Sequence, residues 1–584
     1  MSSNRLFITL IFILSLFTST SSAQGFWMWG RSSVPATTFS TDPTTGYVDD
    51  SGNILVAEYT NIIYGGAYDN FIVYGTDTVY NRDHIQQCIV IKSDSSGHFL
   101  WAKGSGLANN HPISMVTDHA GNSYLFGIYS GNDSCLFDTF LLRNTTTNNM
   151  YYLTKYSPDG QVLWARNLFP INSNQPTGQL AIDRAGYLYL YTQFDSGTLT
   201  LGTTTLTNAS YLGDTFDIVL AKFDSNGHSL WAKSFGGTDV DATGRLTVSK
   251  TGNIYLSGIY VSRSLTVGGY TLTNSNITST GHNDVLGFLF KTDTSGNVLW
   301  AHKLPRLFIL SIINDSHDNL YMSGHFDSTI ICGGDTLISR GYSDVFIGRF
   351  DSSGNNIWSR SAGNSQADNS LSIILDNCNH LWVEACPYLF SYTFSFGDST
   401  ILFPAGSYDK MVVAEYSDSG NFLSCLTLPS GGDDEAILLK NKRNGFYLIG
   451  DYVNVDMVFG VDALFHIGTQ EELFIAYYRT DSTCPYMEDT FATTLSIKNP
   501  KDKSPAYTLY PNPTLGELNI YFEQIPQSAI RVEICDLAGR IVHVSLLHKQ
   551  LNTLSVANLA NGLYLCKIIA PDGQVGVKKI IVNN

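Results

Sequence analysis

The sequence predicts an all-β chain, a seven-bladed β-propeller followed by a small C-terminal β-sandwich, and three observations carry that reading. A phrase built around tryptophan recurs along the chain, a second built around Gly-Asn-x-Tyr-Leu keeps step with it, and a copy cut short at one end is completed at the other. Five of the eight tryptophans lie in the first phrase, at Lys92 to Lys103, Lys155 to Arg166, Lys222 to Lys233, Lys291 to His302 and Arg349 to Arg360. A sixth copy, Glu415 to Leu426, keeps the turn but has Ser424 in place of Trp, and a seventh, Arg479 to Cys484, stops after the turn. Trp29-Gly30-Arg31-Ser32 matches Trp231-Ala232-Lys233-Ser234. The last blade is therefore expected to take three strands from residues 435 to 481 and its fourth from Phe26 to Ser32, which leaves no open sheet edge.

The second phrase is plainest at Gly252 to Gly258 and Gly121 to Gly127, with looser copies opening at Gly52, Gly186, Asp318, Asn379 and Asn444. Its aromatic slot holds Leu55, Tyr124, Tyr189, Tyr255, Tyr321, Trp382 and Tyr447, at intervals averaging about 65 residues. A fixed period of this kind marks an array in which each unit buries its apolar face only against its neighbours. Short apolar runs alternate with Gly, Asp, Asn and Ser, with no sustained helical period, so the content is β. In the fourth copy the strands are expected at Arg245 to Ser249, Ile254 to Tyr260, Leu286 to Thr292 and Val298 to Lys303. Between the second and third, Gly75, Gly202, Gly268, Gly333, Gly397 and Gly460 each stand four residues before Val79, Leu206, Leu272, Leu337, Ile401 and Leu464. That is an extra hairpin per unit, which lengthens the repeat beyond the roughly 40 to 45 residues of a plain four-stranded blade.

The turns of the first phrase have their own chemistry. Asp94 to Gly97, Asp224 to Gly227, Asp293 to Gly296 and Asp351 to Gly354 each open with an Asp whose carboxylate can accept backbone N–H bonds, and close with a Gly suited to positive φ. A calcium loop needs several carboxylates at alternate positions, and these turns offer one each, so they read as hairpin turns. The basic residues follow the repeat as well. Lys92, Lys155, Lys222, Lys291, Arg349 and Arg479 hold one slot, while Arg31, Lys103, Arg166, Lys233, His302 and Arg360 stand two positions past the Trp, on the same face of the strand. Such repeated cations are expected to pack along the ring and serve the scaffold.

The Asp-x-x-Gly-Asn-x-Leu-Trp-Ala and Gly-Asn-x-Tyr-Leu-x-Gly phrases resemble the bacterial SBBP β-propeller repeats over roughly residues 24 to 484. The resemblance implies the architecture and is nearly silent on activity.

The ends of the chain state an address. Arg5, an apolar run from Leu6 to Phe17 and the small residues ending Ser21-Ser22-Ala23 have the layout of a secretory signal peptide over residues 1 to 23. The run is shorter than the roughly 20 residues a membrane span needs, and no other segment is long and apolar enough, so no transmembrane span is expected. Residues 485 to 506, with Pro500 and Pro505, have the composition of a linker. Residues 507 to 584 read as short alternating strands with turns at Asn512 to Gly516, Ala538 to Gly539 and Asn561 to Gly562, a small β-sandwich. This segment resembles the type A C-terminal sorting domain of the type IX (Por) secretion system of Bacteroidota. The motif residues that carry the likeness are Pro511, Asn512, Pro513, Gly516, Asp536, Gly539, Arg540, Gly562, Tyr564 and Lys579. The resemblance implies export through the outer membrane, engagement of the type IX machinery, and release or attachment at the cell surface.

Charge narrows the partners. The chain carries a net charge of −17, and residues 507 to 584 hold six basic against five acidic groups, so the acidity lies on the repeat. Nucleic acid and anionic membrane need a basic surface and are not expected partners. The nine cysteines form no CxxC pair, and no metal site or cofactor is expected. Cys378 and Cys386 could pair across the hairpin that holds Trp382. There is no Gly-x-Ser-x-Gly elbow, no His-Glu-x-x-His and no Walker loop, so no catalytic residue is assigned. The units that depart most from the template are the sixth, at Trp382-Val383-Glu384, and the first, at Asn81-Arg82-Asp83-His84. Two function classes follow: a non-catalytic binder of a polysaccharide or protein, which is favoured, and an extracellular hydrolase or lyase acting through carboxylates at the channel mouth. Repeat-equivalent residues around the channel would favour the binder, and a non-repeated cluster of Asp, Glu, His or Arg would favour the enzyme.

Overall fold

The computed structural model describes residues 26–480 apart from 36–38, 63–69, 82–85, 174–176, 196, 210–214, 276–283, 388–392, 398, 403–409, 430–435, 443, 453–456, 460–461 and 465–471. It also describes residues 507–582 apart from 511–513, 515, 523–529, 536–540, 561 and 570–574. The expected signal segment and linker, Arg82 to His84, and Pro511, Asn512, Pro513, Asp536, Gly539 and Arg540 lie outside the described residues. The chain divides into two compact units, Met1–Met487 and Glu488–Asn584.

In the first unit one antiparallel meander recurs. Its fourth occurrence pairs Asp241–Val248, Ile254–Tyr260, Leu286–Thr292 and Val298–Leu304 in that order. Among the described residues seven sheets follow this plan, with first strands at Phe39–Val48, Asn110–Thr117, Gly178–Ile182, Asp241–Val248, Phe308–Asn314, Ile373–Leu375 and Ile437–Lys440. The sheet that begins at Ile437–Lys440 continues through Phe446–Tyr452 and Glu472–Arg479 and ends on Phe26–Ser32, with Trp29 opposite Tyr477. Each first strand contacts the first strand of the next sheet, and Ile437–Lys440 contacts Phe39–Val48, where the series began. The hydrophobic clusters follow the same rule. Leu55 and Val90 of the first sheet share a cluster with Leu125 and Tyr152 of the second, and Ile54 and Val56 of the first share another with Ile449 and Ile475 of the seventh. Middle strands such as Ser123–Tyr129 and Leu188–Phe194 are buried along their whole length because a neighbouring sheet covers each face.

The expected second and third strands of the fourth sheet have the observed bounds, but its first strand begins four residues earlier than expected, at Asp241. A register shift between Thr243 and Leu246 accounts for the difference. An extra residue breaks the two-residue alternation on which the sequence reading relied. The shift recurs in the first strands of the first, second and fifth sheets, at Pro43/Thr45, opposite Phe126/Gly127 and at Ile309/Ser311.

The tryptophans join consecutive sheets. Gly160 (φ 80°) and Gly227 (φ 75°) adopt the left-handed conformation at the ends of their turns. A Cβ on Gly160 would stand 2.7 Å from the Trp101 ring of the preceding sheet, and one on Gly227 would stand 2.7 Å from Trp164. Trp231 covers Gly296, Trp300 covers Gly354, Trp358 covers Gly420, and Trp29 of the seventh sheet covers Gly97 of the first. The indole N–H groups of Trp101 and Trp358 donate to carbonyls in the same turns, Pro158 O and Asp418 O, both at 2.9 Å. The cations join in. Lys92 donates to Pro158 O, Lys155 to Ser225 O and Lys291 to Ser352 O, while Arg166, Lys233 and Arg360 donate to Asn226 O, Gly296 O and Gly420 O. Arg31, Arg166, Lys233 and Arg360 also lie over their tryptophan rings. These residues serve the scaffold, as expected. Arg479 is the exception, because Tyr477, not Arg479, stands opposite Tyr447 and Trp29 in the slot that Lys92 fills in the first sheet. Spacing from the turn misplaced it by two residues, since the seventh sheet has no continuous turn into its last strand.

The extra hairpins form where expected, with Gly75, Gly202, Gly268, Gly333 and Gly397 at φ between 58° and 61°. They also connect sheets. Leu136 of the second hairpin bridges Gly106, Thr266 of the fourth bridges Gly236, and Phe396 of the sixth pairs with Ala362, in each case beyond the outer strand of the preceding sheet or at its end. Cys378 is disulfide-bonded, but not in a way that fits the Cys386 partner expected from sequence. Cys386 stands opposite Asn369 and Leu381 opposite Leu375, so Cys386 sits five strand residues beyond the turn that holds Cys378. That separation, on the order of 16 Å at the rise of a strand, exceeds the reach of a disulfide.

In the second unit, Tyr507–Tyr510, Glu517–Phe522 and Leu551–Ser555 form one sheet and Ile541–Leu547, Ile530–Cys535, Gly562–Ile569 and Val575–Val582 form another. Leu518 and Ile520 from the first share a core with Val532, Ile534, Cys566 and Ile580 from the second. Of the sorting-motif residues described, Gly516 (φ 97°) accepts from Val556 N, the Tyr564 hydroxyl donates to Ala560 O at 2.9 Å, and Lys579 pairs with Leu565 across the last two strands.

The tryptophan contact predicts a specific coupling. Gly227→Ala should cost about 1 kcal/mol or more in the full chain, from its positive φ and its contact with Trp164. In a Trp164→Ala background that cost should fall by about 0.5–2 kcal/mol, whereas the cost of Gly160→Ala, in Trp164's own turn, should not change. Denaturant titrations of the two cycles distinguish packing on the next sheet from packing within one.

Candidate functional site

A cavity of about 970 Å³ is lined by the first strands of all seven sheets. The recurring bulge determines much of its lining. Thr45, Ser114, Gln179, Arg245, Ser311 and Ser372 occupy equivalent positions, beside the bulge in the first, second, fourth and fifth sheets, with Ile437 in the seventh sheet. Several of these side chains bond the next strand: Thr45 accepts from Met115 N, Ser114 from Leu180 N, Gln179 from Leu246 N and Ser372 from Leu438 N, while Arg245 donates to Leu310 O. The polar slot therefore stitches the ring of first strands together. No Asp or Glu lines the cavity among the described residues.

One sector of the lining departs from the repeat. Tyr59, Gln86, Asn109, His111, Tyr129 and Asn149 come from the first and second sheets and the segments next to them. The His111 ring lies 4.5 Å from that of Tyr59, its Nε2 is 2.9 Å from Gln86 Oε1, and Gln86 N donates to Asn109 Oδ1. Aromatic faces beside side-chain amides can stack on an apolar face and hydrogen-bond neutral polar groups. None of these six residues was singled out in the sequence, because they lie toward strand ends and in loops where the template is loose.

The sixth sheet departs differently. In the first, second, third and fifth sheets a cation faces an aspartate of the first turn: Lys92 to Asp49, Lys155 to Asp118, Lys222 to Asp183 and Arg349 to Asp315. In the sixth, Glu415 stands in the cation's place opposite Trp382, near Asp376. His380 lies between the two carboxylates, with Nδ1 2.8 Å from Glu415 Oε1 and 3.9 Å from Asp376 Oδ2. Ser424, in the tryptophan slot, donates to Glu415 Oε2 at 2.6 Å. Glu415 and Ser424 were visible as departures in the sequence, but their meeting with Asp376 and His380 was not. Glu384, singled out with Trp382, is buried and accepts from Leu371 N.

Two further carboxylates are buried between the third and fourth sheets. Asp217 accepts from Ala209 N, and Asp241 accepts from Gly237 N and the Ser262 hydroxyl. Burial pushes Asp217 up to about 6, and burial with the nearby Asp217 charge pushes Asp241 up to about 7. At the equivalent place between the fifth and sixth sheets, Arg340 pairs with Asp344. Raised carboxyl values mean that the folded chain holds its proton more tightly than the unfolded chain. The stabilisation is fully present below the unfolded value of about 3.9 and is lost as pH rises through about 6 to 7. Asp241→Asn should flatten that decline, gaining about 2–4 kcal/mol over the parent at pH 8 and little at pH 4, read from denaturant titrations at both values.

The comparisons bear mainly on the second unit. Residues 508–583 match the family model of the secretion system C-terminal sorting domain. An uncharacterised WD repeat-containing protein of Acanthamoeba polyphaga mimivirus is 25% identical over 355 residues, 50% of this chain and 25% of that protein, so the chain spans about a quarter of its relative's length. Among solved structures, PorZ, a surface component of the type IX secretion system of Porphyromonas gingivalis, aligns at 11% identity over 93% of this chain and 81% of that chain, with a TM-score of 0.21. A Synechocystis apocarotenoid oxygenase variant aligns at 11% identity over 70% of this chain and 94% of that chain, with a TM-score of 0.31. Among the described residues no helix is long and apolar enough to cross a membrane. Residues 508–583 are thus a type IX sorting domain, and the protein is exported to the cell surface or the extracellular space.

Proposed function

We propose that residues 24–484 form a closed seven-bladed propeller of the SBBP type, joined by residues 485–506 to a sandwich at 507–584, and that the exported protein binds a polysaccharide or protein ligand without transforming it. Residues 1–23 act as a signal peptide in a host of the Bacteroidota, and the C-terminal unit engages the type IX machinery. The contacts that pass from sheet to sheet and return to the first support the closed ring. The observation that carries the binding reading is the cavity lining, in which a repeat-equivalent polar slot already engaged in the scaffold is joined by one non-repeated sector of Tyr, His, Gln and Asn. A broad concave surface with aromatic and amide groups suits a large neutral ligand.

Two experiments test this reading. The full chain should bind members of a glycan and polymer panel without turnover, and Tyr59→Ala or His111→Ala should weaken binding about tenfold or more while leaving the melting temperature within a few degrees of the parent. Turnover of any polymer would overturn the binding reading. Deleting residues 507–584 should retain the protein in the periplasm with its first unit folded, and normal surface delivery of the truncated chain would refute the sorting role.

A further inference from the structure

The sixth sheet departs from the repeat at three positions that meet in space. Where the first five sheets have Lys or Arg it has Glu415; where they have Trp it has Ser424; and four residues after the turn aspartate, where Asn53, Asn122 and Asn319 stand in other sheets, it has His380. The first change alone would set two carboxylates, Asp376 and Glu415, against each other at a site made for an ion pair. The second removes the large ring that elsewhere covers the slot, and the third brings in an imidazole. Drift at one position in a tolerant repeat is ordinary, but these changes add Glu415 and His380 to the template's own Asp376 and so place three ligand-type groups at one point.

The geometry is that of a ligand set. Asp376, His380 and Glu415 each offer one atom, and these atoms lie within 4.8 Å of one another. Around an ion bound at about 2.0–2.2 Å, tetrahedral ligands stand roughly 3.3 Å apart, which falls inside the observed span of 2.8 Å to 4.8 Å. Both carboxylates are held by other groups. Asp376 Oδ1 accepts from the backbone N–H of Cys378 and His380, and Asp376 Oδ2 accepts from the Trp382 indole at 3.2 Å. Glu415 keeps Oε1 toward His380 because Ser424 holds Oε2. Outer hydrogen bonds of this kind orient the ligands of metal sites. Asp376 is 1% exposed, whereas the His380 side chain is 33% exposed, so the group has a buried floor and an open side for solvent or a fourth ligand.

We propose that Asp376, His380 and Glu415 bind a divalent transition-metal ion of the zinc class on the sixth sheet, at the end of the repeat where the Asp-x-x-Gly turns lie. One imidazole with two carboxylates favours such an ion over the all-oxygen sets of calcium and magnesium. The ion supplies the positive charge that Lys or Arg supplies in the other sheets. It also leaves an accessible coordination position, to which a carboxylate or imidazole of a partner can bind. The inference does not depend on the cavity reading, since the two groups of residues share no member.

The template provides the control. Glu415→Lys restores the lysine–aspartate pair of the other sheets, and His380→Asn restores their asparagine, so both variants should fold. Zn²⁺ added to the metal-stripped full chain should bind with about one equivalent at this site in calorimetry and raise the melting temperature by a few degrees. Glu415→Lys should lose that equivalent and the shift, and His380→Asn should weaken it at least tenfold. Co²⁺ should give visible absorption bands in the parent and not in Glu415→Lys. Equal Zn²⁺ binding by the parent and Glu415→Lys, or no saturable binding by the parent, would overturn the proposal.

Discussion

The architecture of the first unit rests on a tryptophan ring lying on a glycine of the next sheet. That contact needs a glycine twice over. The turn requires positive φ, and the ring leaves no room for a Cβ, as at Gly227 beneath Trp164. Each of the first five units therefore carries half of two contacts, its own tryptophan and the glycine that receives its predecessor's, and none of them is satisfied alone. The cation two residues on and the cation of the third strand add bonds to the same turn carbonyls, so aromatic packing and hydrogen bonding specify one neighbour in one register.

This constraint explains a departure that spacing alone leaves unaccounted for. Ser424 replaces tryptophan in the one unit whose successor has no glycine turn, because the last strand of the seventh sheet, Phe26–Ser32, comes from the other end of the chain. A tryptophan there would have no glycine to cover, since Asp481-Ser482-Thr483-Cys484 stands where the other copies have Asp-x-x-Gly. The slot freed of that duty is where Glu415, His380 and Asp376 meet.

Much of the fold was legible because it rests on local, repeated signals. Glycine spacing located the extra hairpins, and the Asp-x-x-Gly turns fixed the ends of the third and fourth strands, as Leu286–Thr292 and Val298–Leu304 show. What escaped were features that interrupt a period or join distant segments. The bulge between Thr243 and Leu246 hid half of a first strand, and with the last strand of the seventh sheet drawn from Phe26–Ser32, spacing along the chain put Arg479 in the slot that Tyr477 fills. Cys378 and Cys386 are close in sequence, yet the hairpin register separates them. The six cavity residues from Tyr59 to Asn149 are drawn from two sheets and carry no motif. The sorting segment was legible for the opposite reason, since it is one uninterrupted stretch, matched over residues 508–583.

Closure by the N-terminal strand is the claim on which the account most depends, because it joins the first and seventh sheets and sets which unit lacks a tryptophan. Amide hydrogen exchange on the full chain and on a variant lacking residues 26–33 tests it most directly. The deletion should strip protection from Glu472–Arg479, the strand that pairs with Phe26–Ser32, and weaken it at the Asp94 to Gly97 turn, which Trp29 covers, while Ile254–Tyr260 of the fourth sheet keeps most of its protection. Unchanged protection of Glu472–Arg479 in the deletion variant would contradict it.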